Sequence, residues 1–306
     1  MLRGPLGKEK YKPKFSGHDT FPFRYAWLTK IVHYLEGGNF KKIKEFEKNK
    51  LTTMVDFGVG LNMVKSIRHW SVMTKVCDKD FKLTDFGKLI FSKKNSLDPY
   101  LEKFETLWLL HWMLASEEQL TTWFYVFNYH QSITINREHL LNDILSVGKF
   151  SKWKGISPNT IKRDIDCFLR TYTISHKKGE VTEDSIECPL AELGLVNPTY
   201  SKNEFEIQRG PKPTLSDKIF EFALSDYWIK QKNQIITFEK LMYDHGSPGK
   251  VFQLDEKSLE SYLEKIENSA QGSFQFNRGA GGLKQITKTK TVSKIQLIKN
   301  CYKKVA

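Results

Sequence analysis

Apolar residues recur at helical spacing along most of this chain. In the segment 56–70, Met63, Ile67 and Trp70 fall at i, i+4 and i+7, so they share one face of a predicted helix that follows a glycine turn. The opposite face is rich in hydrogen-bond donors and has no carboxylate: it carries Asn62, Lys65, Ser66 and His69, with Arg68 on its flank. Such a face suits DNA phosphates and base edges. The pattern predicts either a DNA-recognition helix or an ordinary amphipathic core helix.

The segment that follows this helix is interpreted as a short β-hairpin. Residues 81–91 place apolar side chains around Thr84-Asp85 and Gly87. A hairpin at this point would be the wing that packs behind a recognition helix. We therefore predict a winged helix-turn-helix over residues 15–95.

A second helix-turn-helix is predicted in the middle of the chain. Its first helix begins near Glu138 and breaks at Gly148, while Ser157 and Pro158 supply an N-cap and a first helical residue for its second helix. The outer face of that second helix carries Asn159, Lys162 and Arg163. This face is expected either to contact DNA or to be a solvated charged surface.

The last third of the chain predicts a winged-helix-like unit with a basic tail. A helix from 255 to 266 presents glutamates that phosphates would repel, so it is a poor major-groove reader. Residues 274–286 predict a hairpin whose glycine tip bears Arg278 and Lys284. This hairpin is interpreted either as a wing that touches the DNA backbone or as a turn that contacts nothing.

Together these patterns predict a mainly α protein of tandem winged helix-turn-helix units, with short β-hairpin wings around a helical aromatic scaffold. The scaffold is expected from the dense aromatic and leucine pattern at residues 98–131. The predicted organisation is a basic flexible arm at 1–14, a winged helix-turn-helix at 15–95, a helical scaffold with the second helix-turn-helix at 96–200 and the winged-helix-like unit at 201–306.

Composition narrows the class of partner. The chain has 306 residues, 40% hydrophobic and 13% aromatic, which excludes wholesale disorder. Four scattered cysteines without metal-ligand spacing, and no hydrophobic signal or membrane-spanning run, predict a cytoplasmic protein with reduced thiols and no membrane partner. The formal charge of +13 comes from the two ends: residues 1–50 hold 12 Lys/Arg against 5 Asp/Glu, and residues 271–306 hold 8 Lys/Arg and no acid. This distribution favours DNA as the partner.

Catalytic signatures are sparse. The chain has no P-loop, HExxH or GxSxG motif, and no cofactor is evident. One short stretch mixes a base, an acid and a cation: His18 could act as base or nucleophile, Asp19 could orient it or bind a metal, and Arg24 could hold a phosphate. The alternative is a structural turn that caps the following helix.

Six sequence blocks, in this order, resemble one known family. They are FSGHDTFPFR at 15–24, DFGVGLNMV with RHW at 56–70, LTDFG at 83–87, LWLLHW at 107–112, RDIDCFLR at 163–170, and ED with ECPLAELG at 183–194. This set is similar to an uncharacterised-domain family found in DNA phosphorothioation and phage-defence cassettes, the SspB-type DNA nickase components.

The resemblance implies a cytoplasmic DNA-binding protein that nicks DNA to prepare a strand for sulfur incorporation, with a divalent metal as a possible requirement of the nickase. Its implied partners are DNA and two proteins of the same cassette, an ATPase and a sulfur-transfer (phosphoadenylylsulfate-reductase-like) protein. The alternative function is a non-catalytic DNA-binding or assembly subunit, or a transcriptional regulator. A homo-oligomer is left open.

Overall fold

The computed structural model describes residues 4–174, 188–201, 203–231, 233–267, 273–279 and 282–303. Over these ranges the chain is mainly helical, with fourteen α-helices and two small antiparallel sheets. The mainly α prediction is therefore confirmed. No helix in the described ranges is both long and apolar enough to cross a membrane.

The N-terminal part is built from five helices. They are α1 (Tyr25–Glu36), α2 (Phe40–Lys44), α3 (Lys50–Phe57), α4 (Leu61–Met73) and α5 (Asp85–Phe91). Gly58 ends α3 in the left-handed conformation at φ 62°, which glycine adopts without steric cost, and Gly60 stands at the N-cap of α4. The predicted glycine turn into a helix is thus present, and it joins α3 to α4.

The prediction of a hairpin at residues 81–91 is wrong, because most of this segment forms α5. The Thr84 hydroxyl accepts a hydrogen bond from the Gly87 N–H at 3.0 Å and so caps the helix. The negative charge of Asp85 in the first turn stabilises the positive end of the helix dipole. Phe86 and Ile90, one helical turn apart, are both buried. Around this segment, the described residues form only a single isolated β-bridge, between Cys77 and Leu83.

The central part contains four helices and the first sheet. They are α6 (Phe104–Ala115), α7 (Thr121–Asn128), β1 (Thr134–Asn136), α8 (Arg137–Phe150), α9 (Pro158–Tyr172), β2 (Val196–Pro198) and β3 (Glu204–Ile207). Pro158 begins α9 as predicted, and Ile161, Ile165 and Phe168 are buried. Gly148 does not break α8; it lies inside the helix, where a Cβ would approach Ile156 to 2.6 Å.

The C-terminal part repeats this order of elements. It contains α10 (Asp217–Ile229), β4 (Ile235–Thr237), α11 (Phe238–Tyr243), α12 (Pro248–Val251), α13 (Glu256–Glu267), β5 (Phe274–Arg278), β6 (Lys284–Lys288) and α14 (Lys294–Cys301). The hairpin predicted at 274–286 is present as β5 and β6. Each sheet consists of one short strand and a later hairpin, with two or more helices between them in sequence. The short strand pairs with the second strand of the hairpin, which gives the orders β1-β3-β2 and β4-β6-β5.

Residues 4–14 are packed and do not form the predicted flexible arm. Leu6 is fully buried, and its carbonyl accepts a hydrogen bond from the Trp153 indole at 3.2 Å. The Tyr11 hydroxyl lies 2.7 Å from the Thr121 hydroxyl at the start of α7. The N-terminal segment therefore adds lysines to a fixed surface. The boundaries at residues 95 and 200 stay predictions, since the buried side chains form one continuous cluster.

Candidate functional site

A cavity of about 1070 Å³ lies beside α4, and we call it the α4 groove. Its walls come from the N-terminal segment, from α4 and from the loop before α5. The cations that line it are Lys12, Lys14, Lys65, Arg68, Lys75 and Lys79, against the carboxylates of Asp19, Glu47, Asp78 and Glu118. Cations therefore outnumber acids in the lining of the α4 groove.

Arg68 is held between two aromatic rings in this groove. Its guanidinium carbon lies 4.4 Å from the ring centroid of Phe46 and 4.4 Å from that of Phe81. Burial lowers the pKa of Arg68, and its Nε has no hydrogen-bond partner among the described residues. Glu47, whose charge acts on Arg68 and raises its pKa, already binds Lys50 at 2.5 Å. The rings thus fix a cation that makes no ion pair with a carboxylate among the described residues.

Lys14 is a second half-buried cation on the same groove. Its Nζ lies 3.7 Å from the sulfur of Met73, and within the described ranges it makes no ion pair. Burial, and then the like charge of Lys79, lower the pKa of Lys14. Removing an ammonium from water without an acidic partner costs free energy, which a bound anion would offset.

The turn Gly17–Thr20 forms one wall of the α4 groove and is anchored from behind by His18. His18 is buried, and its Nε2 lies 2.7 Å from Oδ1 of Asp164 on α9. Its Nδ1 accepts the Thr20 N–H at 3.1 Å, so the Nε2–H donates to Asp164. Both ring nitrogens are engaged, and His18 therefore positions the turn and does not reach the groove.

Asp19 is the member of this turn that faces the groove. It has a φ of 42°, and Thr20 has a φ of 67°, a left-handed conformation that is costly for residues with a side chain. The Asp19 carboxylate lies 3.6 Å from the Lys65 ammonium. The fold therefore holds a strained turn that presents one carboxylate beside the groove's cations.

Three of the predicted site residues do not present a charged group to the α4 groove. Ser66 is fully buried and donates to the His18 carbonyl at 2.6 Å, so it does not belong to an outward face. His69 lines the groove, but burial holds its pKa well below 6.5, followed by the charges of Lys14 and His18, and the ring is neutral. Arg24 does not line the groove; its guanidinium lies over the rings of Phe21 and Trp27. The outward face of α4 is reduced to Asn62, Lys65 and Arg68.

The other predicted DNA-contacting residues fall into two contrasting groups. On α9, Asn159, Lys162 and Arg163 are exposed, and Lys162 lies 3.4 Å from Glu138. On the hairpin β5–β6, Arg278 and Lys284 are ion-paired to glutamates of α13: Lys284 binds Glu260 at 2.7 Å, and Arg278 binds Glu260 and Glu264. The hairpin's charges are therefore neutralised within the fold.

Sequence reasoning missed Lys14, Phe46, Phe81 and Asp164. Lys14 was assigned to a mobile arm, although Phe15 directly after it signals an anchored segment. Phe46 and Phe81 lie 35 positions apart in sequence, and no local pattern pairs them with Arg68. Asp164 stands between Ile161 and Ile165 on the apolar side of α9, and a carboxylate on an apolar face is the available signal of a buried partner.

The chain matches known proteins over nearly its whole length. Residues 15–302 match a family described as a protein of unknown function (DUF4007). A crystal structure of magnesium-ion-bound SspB is 25% identical in sequence, with a TM-score of 0.80 over 98% of this chain and 89% of that chain. Another SspB crystal structure, also 25% identical, has a TM-score of 0.78 over 97% and 88%. Among curated proteins, no sequence matches this chain.

Proposed function

This chain belongs to the DUF4007 family, and on that premise we propose that it is a DNA-binding component of a DNA phosphorothioation system. Its similarity to SspB supports the assignment to a phosphorothioation system. In this proposal its partners are DNA and the ATPase and sulfur-transfer proteins of the same cassette. The alternative is a DNA-binding assembly subunit or transcriptional regulator without chemistry of its own.

The observation that carries DNA binding is the pair of desolvated, unpaired cations in the α4 groove. Arg68 and Lys14 make no ion pair in the described structure, and the pKa of each is lowered because burial is the largest influence on it. Backbone phosphates are the anions that a basic groove of this kind suits, since guanidinium and ammonium donors bind phosphate oxygens without regard to sequence. Lys65 and Asn62 extend the same surface along α4.

A second DNA contact is proposed on α9. The order helix, strand, helix, helix, hairpin around the sheet β1-β3-β2 is that of a winged-helix unit, with α9 as its recognition helix. The exposed Asn159, Lys162 and Arg163 lie in its first turns, which is where a recognition helix contacts bases. The unit around β4-β6-β5 has the same order, but its corresponding helix, α13, is acidic.

Within this proposal, Asp19 is the residue that would support strand nicking. Its carboxylate would accept a proton from the attacking water while Lys65 and Arg68 balance the charge on the phosphate. The water oxygen would bond to phosphorus, the bond to one sugar oxygen would break, and that oxygen would take a proton from solvent. His18 would act only by positioning Asp19.

Magnesium enters this proposal as an experimental variable. The described ranges contain no group of three or more His, Cys, Asp or Glu side chains able to hold a metal, and Asp19 already faces Lys65. Magnesium usually takes only one or two protein carboxylates and completes its ligands with water and phosphate oxygens, so each assay is run with and without the ion.

The test combines duplex binding with plasmid nicking, each with and without magnesium. We expect the unaltered protein to bind duplex DNA and to convert supercoiled plasmid to the open circle, and Asp19→Asn to bind but not to nick. The matched control is Asp143→Asn, which makes the same change of charge at an exposed position outside the groove. Binding without an open circle in any condition would identify the non-catalytic alternative, and full-rate nicking by Asp19→Asn would remove the site assignment. Absence of DNA binding would contradict the function as a whole.

A further inference from the structure

We infer that the α4 groove continues into a second cavity, and that the continuous path takes a single unpaired DNA strand. This rests on the proposed DNA-binding function and specifies the form of DNA that the groove takes. The supporting observations are the shared walls of the two cavities, their unpaired lysines, their size and the aromatic rings on the path.

The second cavity, of about 1030 Å³, lies between the N-terminal segment and the C-terminal part of the chain. Lys12, Glu118 and Gln119 line both this cavity and the α4 groove, so the two spaces meet at these residues. Its far wall is formed by the end of α10 and the loop after α11, including Lys230 and His245. A polymer leaving Arg68 therefore has a continuous path towards α10.

Two of the three acids that line the second cavity are engaged, whereas Glu118 at the junction makes no ion pair among the described residues. Glu117 accepts Lys75 at 2.8 Å and Lys230 at 3.3 Å, and so ties a residue of each cavity to one carboxylate. Asp244, in the second cavity, accepts the Tyr227 hydroxyl at 2.7 Å. The exposed lysines of the N-terminal segment make no ion pair within the described part of the chain: Lys8, Lys10 and Lys12. The path thus offers ammonium groups at successive positions, as a backbone of phosphates requires.

The size of the path favours one strand over two. One turn of duplex is about 34 Å long and carries a major groove about 12 Å wide and about 8.5 Å deep. The two cavities, of about 1070 and 1030 Å³, are too small to enclose such a turn. A duplex would lie along the rim, and only an unpaired strand fits within the path.

Two aromatic rings on the path are fixed in place. Tyr11 lies in the second cavity near the junction; its hydroxyl is bound to Thr121, and its ring packs on Trp153 with centroids 5.4 Å apart. Phe81, in the α4 groove, packs on the Arg68 guanidinium. Both rings are half-buried. Basic grooves with aromatic rings, on which bases stack, are the usual means of binding single strands without sequence preference.

The experiment compares binding of a single-stranded DNA of about 16 nucleotides, the matching duplex and the RNA of the same sequence. The variant Lys8→Ala/Lys10→Ala/Lys230→Ala removes three lysines of the second cavity. Its matched control, Lys88→Ala/Lys94→Ala/Lys299→Ala, removes three exposed lysines that line neither cavity and so changes the net charge equally. Fluorescence anisotropy gives the dissociation constants, and thermal melting confirms that both variants are folded.

We expect the second-cavity variant to lose about tenfold in affinity for the single strand and less than about twofold for the duplex, with both affinities kept by the control. An equal loss for strand and duplex, or no loss for either, would overturn the inference while leaving DNA binding intact. Binding of the RNA alone would overturn both the inference and the proposed function. If the unaltered protein binds no form of DNA, the proposed function itself fails.

Discussion

Two basic clusters of this protein look equivalent in sequence and differ in their partners. Around α4, Arg68 and Lys14 are half-buried and have no carboxylate partner among the described residues. On the hairpin β5–β6, Arg278 and Lys284 are exposed or nearly so, and both are paired with glutamates of α13. The same residue types thus form an anion site in one place and a neutral patch in the other. What decides between them is the chemistry of the element packed opposite.

The largest expected difference is in the free energy of unfolding that is lost when the contacts behind each region are removed. His18→Ala leaves the Asp164 carboxylate buried without its partner and should lower the free energy of unfolding by about 3 kcal/mol. Glu260→Ala removes exposed ion pairs and should cost less than about 1 kcal/mol. Urea denaturation of the two variants measures both values. Equal losses would mean that the buried His18–Asp164 contact does not anchor the turn.

The next largest difference is expected in affinity for duplex DNA. Arg68→Ala removes a cation that makes no ion pair within the described residues and should weaken binding by about tenfold, or about 1.4 kcal/mol. Arg278→Ala with Lys284→Ala should change affinity by less than about twofold, because those charges are satisfied within the fold. Anisotropy titrations at one salt concentration give the comparison. A larger effect from the hairpin variant would reverse the assignment of the two clusters.

A gain of function provides a sharper test of the same difference. Glu260→Gln with Glu264→Gln leaves the shape of α13 unchanged and releases Arg278 and Lys284 from their acidic partners. We expect affinity for duplex to rise by about threefold, in a salt-dependent manner. The matched control is Glu239→Gln with Glu267→Gln, which removes two charges that pair with neither cation. A rise of the same size in the control would reduce the effect to net charge.

The smallest effect is expected from pH. The hydrogen bond from Lys284, followed by that from Arg278, holds the pKa of Glu260 below its ordinary 4.5, so the hairpin's cations stay paired at about pH 5. Because that pKa is depressed on folding, the stabilisation from the pairs is present above about pH 4.5 and is lost only as pH falls through the lowered value. Burial likewise holds the pKa of His69 well below 6.5.

Arg68→Ala and the double variant Arg278→Ala with Lys284→Ala each change the affinity for duplex DNA. The ratio of these two changes should therefore be the same at about pH 7.5 and at about pH 5. Repeating the anisotropy titrations at the two pH values measures it. An Arg278 effect that emerges at about pH 5 would show that the pairs open earlier than their geometry indicates.

The sequence predicts this fold well where periodicity decides the outcome. The buried face of α9, the glycine turn before α4 and the hairpin at β5–β6 all follow from local spacing and capping, and on α4 the predicted Ile67 and Trp70 are buried. In the segment 81–91 the alternating Phe81 and Leu83 resemble a strand, but the Thr84 cap and the buried Phe86 and Ile90 favour the helix that forms.

The candidate site is less predictable because its contacts join distant parts of the chain. His18 and Asp164 are 146 positions apart, and nothing near His18 in sequence shows that both of its nitrogens are engaged. Asp19 was identified from its local mixture of polar residues and does face the groove. Arg24, from the same stretch, lies elsewhere, because the start of α1 directs the chain away after Phe23.

The most direct test of the central claim is the salt dependence of duplex binding. The slope of log Kobs against log salt concentration counts the phosphate contacts that a protein makes. If the unpaired cations of the α4 groove bind the backbone, Arg68→Ala lowers the magnitude of this slope by about 1, and Arg278→Ala leaves it unchanged. An unchanged slope for Arg68→Ala would contradict the account.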